Sequence, residues 1–494
     1  MVKLGREDGQ GLTLETMNPR LREMEYAVRG AVPIRAGEID AEIAAAQTAG
    51  LPSPYNFSST LACNIGNPHA VGQPPITFYR QVLSLVNNPS LLDAALKGKL
   101  RRVLPRDVVT RAAEIAAAVK GGTGAYSHSQ GVPFIRTDVC EFIDARDGVE
   151  LPCSPDDIYL VNGASSGIQS ILTALVAGPQ DAVMLPIPQY SIYSAVIKLL
   201  GGEQVGYYLD EANGWSMSIT ELERAITQAR SKGLRPRALV LINPGNPTGQ
   251  VLTEEILRDV INFCRENSLV LLSDEVYQEN TYVEGLDFVS ARSVYHRMDS
   301  DIQLVSFHST SKGLIGECGR RGGYMEILGF SPEIRAQIYK LQSSQLCPNL
   351  DGQIMTDLMV RPPKAGEPSY KLFHEETSRI YEGLRRKAEV LVERLNQIDG
   401  ITCNLATGAM YAFVTVVLPP RALEAAAELS IPADQMYCLS LLESTGIITV
   451  EGSGFGQVDG TFHFRTTFLP PEDKMYEALD AFQAHHEAFM AKYS

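Results

Sequence analysis

The chain has 494 residues, 45% of them hydrophobic and 20% charged, with a formal net charge of −15. Length and apolar content allow a sizeable buried core and two or three domains, while the acidic balance excludes the clustered positive field that nucleic-acid binding demands. No apolar run approaches the roughly 18 residues a membrane span needs and the opening Met1 to Gln10 has no signal-peptide core, so neither a membrane nor a nucleic-acid partner is expected and the cytoplasm is the expected compartment.

Residues 1 to about 75 are rich in Pro, Gly, Asn and charge, with one helical pattern near Ala41 to Ala49, and predict an arm rather than a domain. The arm ends in the turn-rich loop Cys63-Asn-Ile-Gly66-Asn67-Pro, where Gly66 would let backbone approach a ligand closely; an ordinary connection fits as well. Helical spacing follows over Ile76 to Val86 and Val108 to Val119, then a glycine-rich loop, Gly121 to Gly131, that contains Tyr126. Its Gly-x-Gly content alone does not mean phosphate.

From Asp157 the pattern alternates. Ile158 to Val161 reads as a strand, Asn162 to Gly167 as a turn, and Ile168, Ile171, Leu172 and Leu175 repeat at helical spacing until Gly178-Pro179. A helix starting there presents free N–H groups and a positive dipole end, so Ala164-Ser165-Ser166 could hold a phosphate; a well-capped helix is the plain alternative. Further strands are predicted at Ala182 to Leu185, Ala238 to Ile242, Leu269 to Leu272 and Ile302 to Phe307. Most lack alternation, as expected of a parallel sheet covered on both faces by helices.

The chemistry-bearing residues sit just past those strands: Tyr190 after the second, Asn246 in Asn243-Pro-Gly-Asn-Pro-Thr-Gly249, Asp274 and Tyr277 in Asp274-Glu-Val-Tyr277, and Lys312 in Ser309-Thr-Ser-Lys312. Open parallel sheets bind ligands at that edge. Small hydroxyl residues before Lys312, glycines after it and the pair Arg320-Arg321 describe an anion pocket beside an amine, the setting of a Schiff-base lysine. Beyond about residue 345 the alternation ends. A loop, Arg361 to Pro368, precedes a long amphipathic helix through Leu395 that stops at Gly400, and Met410 to Leu418, Ile447 to Val450 and Thr461 to Leu469 read as strands of a smaller α+β domain. Arg465, among apolar and hydroxyl neighbours in the last strand, needs an anion if it is buried. The expected fold is therefore α/β, with an arm and part of a small domain over 1–75, a large domain over 76–345 and a small C-terminal domain over 346–494. The eight cysteines form no Cys-x-x-Cys with a neighbour and read as reduced, mostly buried thiols; no metal site is expected.

Together Asn243 to Gly249, Asp274 to Tyr277, Ser309 to Lys312 and His463-Phe-Arg-Thr-Thr467 resemble the fold-type I aminotransferases that use pyridoxal phosphate. Gly316-Glu-Cys-Gly-Arg-Arg-Gly-Gly-Tyr324 and Asn64 to Asn67 resemble the alanine aminotransferase branch, and the resemblance runs from about residue 55 to the C-terminus. It implies pyridoxal 5'-phosphate as cofactor, with Lys312 as the catalytic lysine that joins its aldehyde and shuttles the substrate's α-proton. It further implies Asp274 on the pyridinium nitrogen, Tyr277 and Asn246 on the phenolate oxygen and Tyr190 on the ring face. Ala164, Ser165, Ser309 and Arg321 would hold the phosphate. The branch pattern favours Arg321, whereas spacing from Lys312 in the wider family favours Arg320. Arg465 would clamp the substrate α-carboxylate with help from the Gly66 backbone, and Tyr126 would reach the phosphate of a neighbouring subunit, which implies a homodimer. The implied reaction is amino-group transfer between alanine and 2-oxoglutarate, with small amino acids and 2-oxo acids as ligands. Rival readings are a lyase on the same scaffold, a regulator with an aminotransferase-like sensor domain, and a serine hydrolase: Gly163-Ala-Ser165-Ser-Gly167 fits a nucleophile elbow, with Asp274 and His308 following in hydrolase order.

Overall fold

The structure, a computed structural model, describes residues 12–24, 30–148 and 152–494. Met1 to Gln10, from which the absence of a signal core was read, lie outside the described residues. Among the described residues thirteen strands run in chain order: β1 (Leu61–Ala62), β2 (Ile158–Leu160), β3 (Asp181–Ile187), β4 (Glu203–Tyr208), β5 (Arg235–Ile242), β6 (Val270–Asp274), β7 (Leu304–Ser309), β8 (Gly323–Leu328), β9 (Ile401–Cys403), β10 (Tyr411–Val416), β11 (Ile447–Ile448), β12 (Val450–Glu451) and β13 (His463–Thr467). Among the described residues no helix is long and apolar enough to cross a membrane.

Seven strands form one sheet in the order β2-β8-β7-β6-β5-β3-β4. Only β8 runs against its neighbours. The apolar runs are continuous because both faces are buried. Val183, Leu185, Val240, Leu272, Val305 and Phe307 pack on one side with Ile168, Ile171 and Leu172 of the helix Ala164–Leu175. Met184, Leu239, Leu241 and Leu271 pack on the other with Leu222 and Ile226 of Ile219–Ser231 and Leu257 and Ile261 of Glu254–Asn267. This is the mostly parallel, helix-covered α/β arrangement that the sequence predicts.

The parallel register lines up the strand ends: Ile242 lies opposite Asp274, and Asp274 opposite Phe307. The loops after β3, β5, β6 and β7 therefore leave from one edge, which is what gathers residues far apart in sequence. Facing that edge is an antiparallel sheet in the order β12-β13-β10-β9. The predicted single strand Ile447 to Val450 is two: β11 pairs in parallel with β1, and β12 pairs with β13. Leu61–Ala62 is thus built into the C-terminal sheet region, and Ala31–Thr48 buries Val32, Ala36, Ile39 and Ile43 there. The helix Leu350–Val360 is buried along its length with Pro133–Asp147 and Thr77–Val86 in a separate cluster.

Candidate active site

Between the two sheets lies a cavity of about 200 Å³ lined by Gly66, Ala164, Ser165, Tyr190, Asn246, Asp274, Tyr277, Ser309, Lys312, Arg321 and Arg465. All the residues expected at a site are brought to it except Tyr126, which is 78% exposed and lines no part of it. Ile65, Asn67, Ile168, Ile242, Val276, Ser311, Cys318 and Tyr411 complete the wall.

Asp274 ends β6 at the floor. It is buried, Oδ2 accepts from the Tyr193 hydroxyl at 3.0 Å, and Oδ1 has no hydrogen-bond partner among the described residues. Burial pushes its carboxyl up to about 6, against the opposing pull of Tyr193, the Val276 backbone N–H and the charge of Lys312. A buried, half-satisfied carboxylate costs free energy unless a cationic or donor group meets it. Tyr193, at the start of the helix Ile192–Leu200, escaped the sequence reading; a buried aspartate needs a donor, and a tyrosine three residues past Tyr190 was the available signal.

At the other end, Gly163 takes φ +76°, and a Cβ there would collide with the Arg321 guanidinium. That absence of a side chain lets Arg321 lie against the N-terminus of Ala164–Leu175. Arg321 donates to Ser165 Oγ at 3.1 Å, Ser311 Oγ at 3.2 Å, the Cys318 carbonyl at 2.9 Å and the Asn162 carbonyl at 3.2 Å. Every one of these partners is uncharged. Its neighbour Arg320 instead pairs with Asp351 at 3.1 Å. A guanidinium paired with no carboxylate among the described residues, beside free helix N–H groups and two hydroxyls, makes an anion seat.

Lys312 Nζ donates to the Gly66 carbonyl at 2.8 Å. A Cβ on Gly66 would collide with the Tyr411 hydroxyl and stand 2.9 Å from Lys312 Nζ, so this loop passes as close to the amine as backbone can. Tyr277 donates to the Tyr411 hydroxyl at 3.4 Å. Burial drives the Tyr277 phenol well above its ordinary range. For Tyr411 burial acts the same way, but Lys312 and Arg465 outweigh it and draw the phenol down.

Arg465 is 1% exposed. Nη1 donates to Asn246 Oδ1 at 3.1 Å and Nη2 to the Asn64 carbonyl, while Nε is buried without a partner. Its guanidinium lies over the rings of Tyr411 at 4.3 Å and Phe455 at 4.7 Å. No carboxylate among the described residues pairs with it, so the charge is aimed into the cavity for an external anion.

The hydrolase arrangement does not form. His308 is buried with neither ring nitrogen hydrogen-bonded among the described residues, and burial takes it down to about 3. Its ring packs on Phe142 and Tyr324, since side chains alternate along β7 and Ser309 takes the cavity side. Ser165 accepts from Arg321 and Asp274 from Tyr193, and neither is hydrogen-bonded to a histidine among the described residues.

Residues 95–482 match the family model of aminotransferase class I and II. The chain is 47% identical over 488 residues to a probable alanine aminotransferase, mitochondrial, of Dictyostelium discoideum, covering 98% of this chain and 90% of that protein. It is 45% identical over 488 residues to glutamate–glyoxylate aminotransferase 1 of Arabidopsis thaliana, covering 98% of each. An alanine aminotransferase structure from Pyrococcus furiosus superposes with a TM-score of 0.73 at 24% identity, over 96% of this chain and all of that one. A lysine between two arginines that pair with no carboxylate among the described residues, at the edge of a parallel sheet and within a chain matched along nearly its whole length, leads to one assignment: this chain belongs to the class I and II aminotransferase family.

Proposed function

We propose that the protein is a pyridoxal 5'-phosphate-dependent transaminase that moves an amino group reversibly between L-alanine and 2-oxoglutarate, giving pyruvate and L-glutamate by a ping-pong mechanism. One observation carries this reading. A single cavity holds one amine, one buried carboxylate with an unpartnered oxygen, and two guanidinium groups that pair with no carboxylate, all among the described residues. The cofactor fits that donor set end to end. Asp274 Oδ1 would take the protonated ring nitrogen, Arg321 with Ala164, Ser165 and Ser309 the phosphate, Tyr277 and Asn246 the ring oxygen, and Tyr190 the ring face. When bound, pyridoxal phosphate supplies an aldehyde for an amine and a ring that withdraws electrons from the substrate α-carbon.

The chain's own groups do the rest. Arg465 would clamp the α-carboxylate through the donors that the fold leaves it, and the Gly66 loop would close over the same end of the substrate. Lys312 Nζ would take the α-proton and return it on the far side of the transfer, a task that needs one amine able to reach both positions. The aromatic rings under Arg465 and the apolar Ile65, Ile168 and Val276 keep bulk water from the reacting centre. In the same reading Tyr126, exposed on one chain, completes the phosphate seat of a second copy in a homodimer. The compartment we assign is the cytoplasm; fractionation of the native source tests it, since the Dictyostelium relative's name places that protein in mitochondria.

The relative named for glutamate and glyoxylate covers the chain equally well, and favours a second acceptor, glyoxylate. The deciding experiment follows the visible spectrum of the loaded enzyme on addition of alanine, then the products with 2-oxoglutarate or glyoxylate. Pyruvate and glutamate from the first pair support the proposal. No pyruvate from alanine with either acceptor removes it.

A further inference from the structure

Behind Arg465 runs a chain of polar contacts that lies outside the catalytic cavity. Glu211 sits in the short turn Glu211–Asn213 after β4, at the edge of the seven-stranded sheet. Its carboxylate faces His463 Nε2 at 3.2 Å and accepts from the Thr415 hydroxyl, both on the four-stranded sheet, and its backbone carbonyl accepts from Asn404 Nδ2 at 2.8 Å. His463 Nδ1 meets Gln457 Oε1 at 2.8 Å, and Gln457 Nε2 donates to Asp434 Oδ2 at 3.0 Å. The amide is thereby oriented with its oxygen toward the imidazole, so both ring nitrogens of His463 face acceptors. Burial works to raise the Glu211 carboxyl, and the bonds from His463 and Thr415 outweigh it.

The same histidine supports the platform on which Arg465 rests. Phe413 stacks flat on the His463 ring at 4.7 Å and 7°, is the partner of Arg465 in the β10–β13 ladder, and meets Phe455 edge-on at 5.9 Å. Phe455 is one of the two rings under the guanidinium and lies two residues before Gln457. Its carbonyl accepts from the Gln189 N–H at 2.8 Å, next to Tyr190 in the cavity wall. A shift of His463 therefore reaches Arg465 and Tyr190 together.

We propose that Glu211 and His463 are positioning residues that staple the turn after β4 to the four-stranded sheet and so fix Arg465 where a substrate carboxylate meets it, an inference that rests on the clamp role given to Arg465 above. A second cavity, of about 620 Å³, opens beside Glu211, whose side chain is 35% exposed. Water can therefore hydrate a broken pair, and Glu211→Gln folds.

The test compares cofactor-loaded wild type, Glu211→Gln, Glu211→Asp, His463→Gln and the double variant Glu211→Gln/His463→Gln. Loss of one charge-assisted bond predicts a KM for amino acid and oxo acid raised about tenfold, with kcat within about twofold and the visible spectrum unchanged. Glu211→Asp recovers part of the KM, and the double variant is no worse than either single one because both remove the same interaction. Apart from turnover, calorimetric binding of propionate, which offers a carboxylate and no amino group, weakens by the same factor, and the Gln189 amide exchanges faster. Wild-type KM and propionate affinity in Glu211→Gln would overturn the inference, as would a fall in kcat or melting temperature with KM unmoved. If wild type binds propionate yet transfers no amino group, the proposed function fails while the weakened binding in Glu211→Gln keeps the staple. If wild type does not bind propionate, the clamp and the staple fall together.

Discussion

Arg465→Lys keeps the charge and removes the fork. The wild-type guanidinium is buried, bonded to Asn246 and the Asn64 carbonyl, and sandwiched between Tyr411 and Phe455. An ammonium would keep one strong contact with a carboxylate and lose the second, worth about 1.5–3 kcal/mol for a bond to a charged group, together with a desolvated ring contact of about 2 kcal/mol. At about 1.4 kcal/mol per factor of ten, the variant should lose roughly 300- to 4,000-fold in kcat/KM for alanine, most of it in KM. Arg465→Met separates binding from folding. It removes a buried charge whose Nε has no partner, so the melting temperature should hold or rise, as replacing buried charges by apolar groups often gives about 1–4 kcal/mol, while amino-acid saturation disappears. Steady-state kinetics with pyruvate detection and a thermal melt are sufficient assays. Arg465→Lys within fivefold of wild type would refute the carboxylate-clamp reasoning.

Asp274→Asn should act in opposite directions with and without cofactor. Because burial raises the folded carboxyl to about 6, above the roughly 3.9 of an unfolded aspartate, the folded state holds its proton more tightly; stability is then lost as pH rises from about 4 to 6 and stays lost above, by at most about 2–3 kcal/mol. The cofactor-free variant should therefore melt higher than cofactor-free wild type at pH 7.5, and the difference should vanish near pH 4, whereas the variant binds cofactor more weakly; equal melting at pH 7.5 would contradict this. Gly163→Ala places a Cβ against Arg321 at a positive φ, a strain of about 1–2 kcal/mol; equilibrium dialysis should show cofactor dissociating at least tenfold more readily, and unchanged affinity would remove Arg321 from the phosphate seat. Hybrids of Tyr126→Phe and Lys312→Ala subunits should regain tight cofactor binding at one site per dimer, since each Lys312-bearing site then meets an intact Tyr126 from its neighbour; no recovery would place Tyr126 in its own subunit's service.

Much of this site was legible because a parallel sheet converts sequence into place. Asn246, Asp274 and Lys312 each follow a continuous apolar run, and the rule that ligands sit at the strand ends brought them together before any coordinate did. The apolar neighbours of Arg465 said only that it needs an anion if buried, and an arginine at a strand end reaching solvent was the other reading. What could not be read were contacts across the chain. Tyr411 looks like an ordinary strand residue, and only the approach of β10 to the loop after β6 puts its hydroxyl beside Tyr277 and Lys312. The pairing of Arg320 with Asp351, 31 positions along the chain, was equally hidden. The edge strand β4 escaped because Glu203 and Gln204 are exposed and break the apolar run. Ile447 to Val450 looked like one strand because both halves are apolar, yet their partners lie in different sheets.

Covalent chemistry at one amine is the centre of the account. Borohydride reduction of the cofactor-loaded protein, followed by proteolysis and mass spectrometry, should find a pyridoxyl group on the peptide bearing Lys312, and none in Lys312→Ala. A pyridoxyl group on another lysine, or a Lys312→Ala variant that still converts alanine to pyruvate, would contradict it.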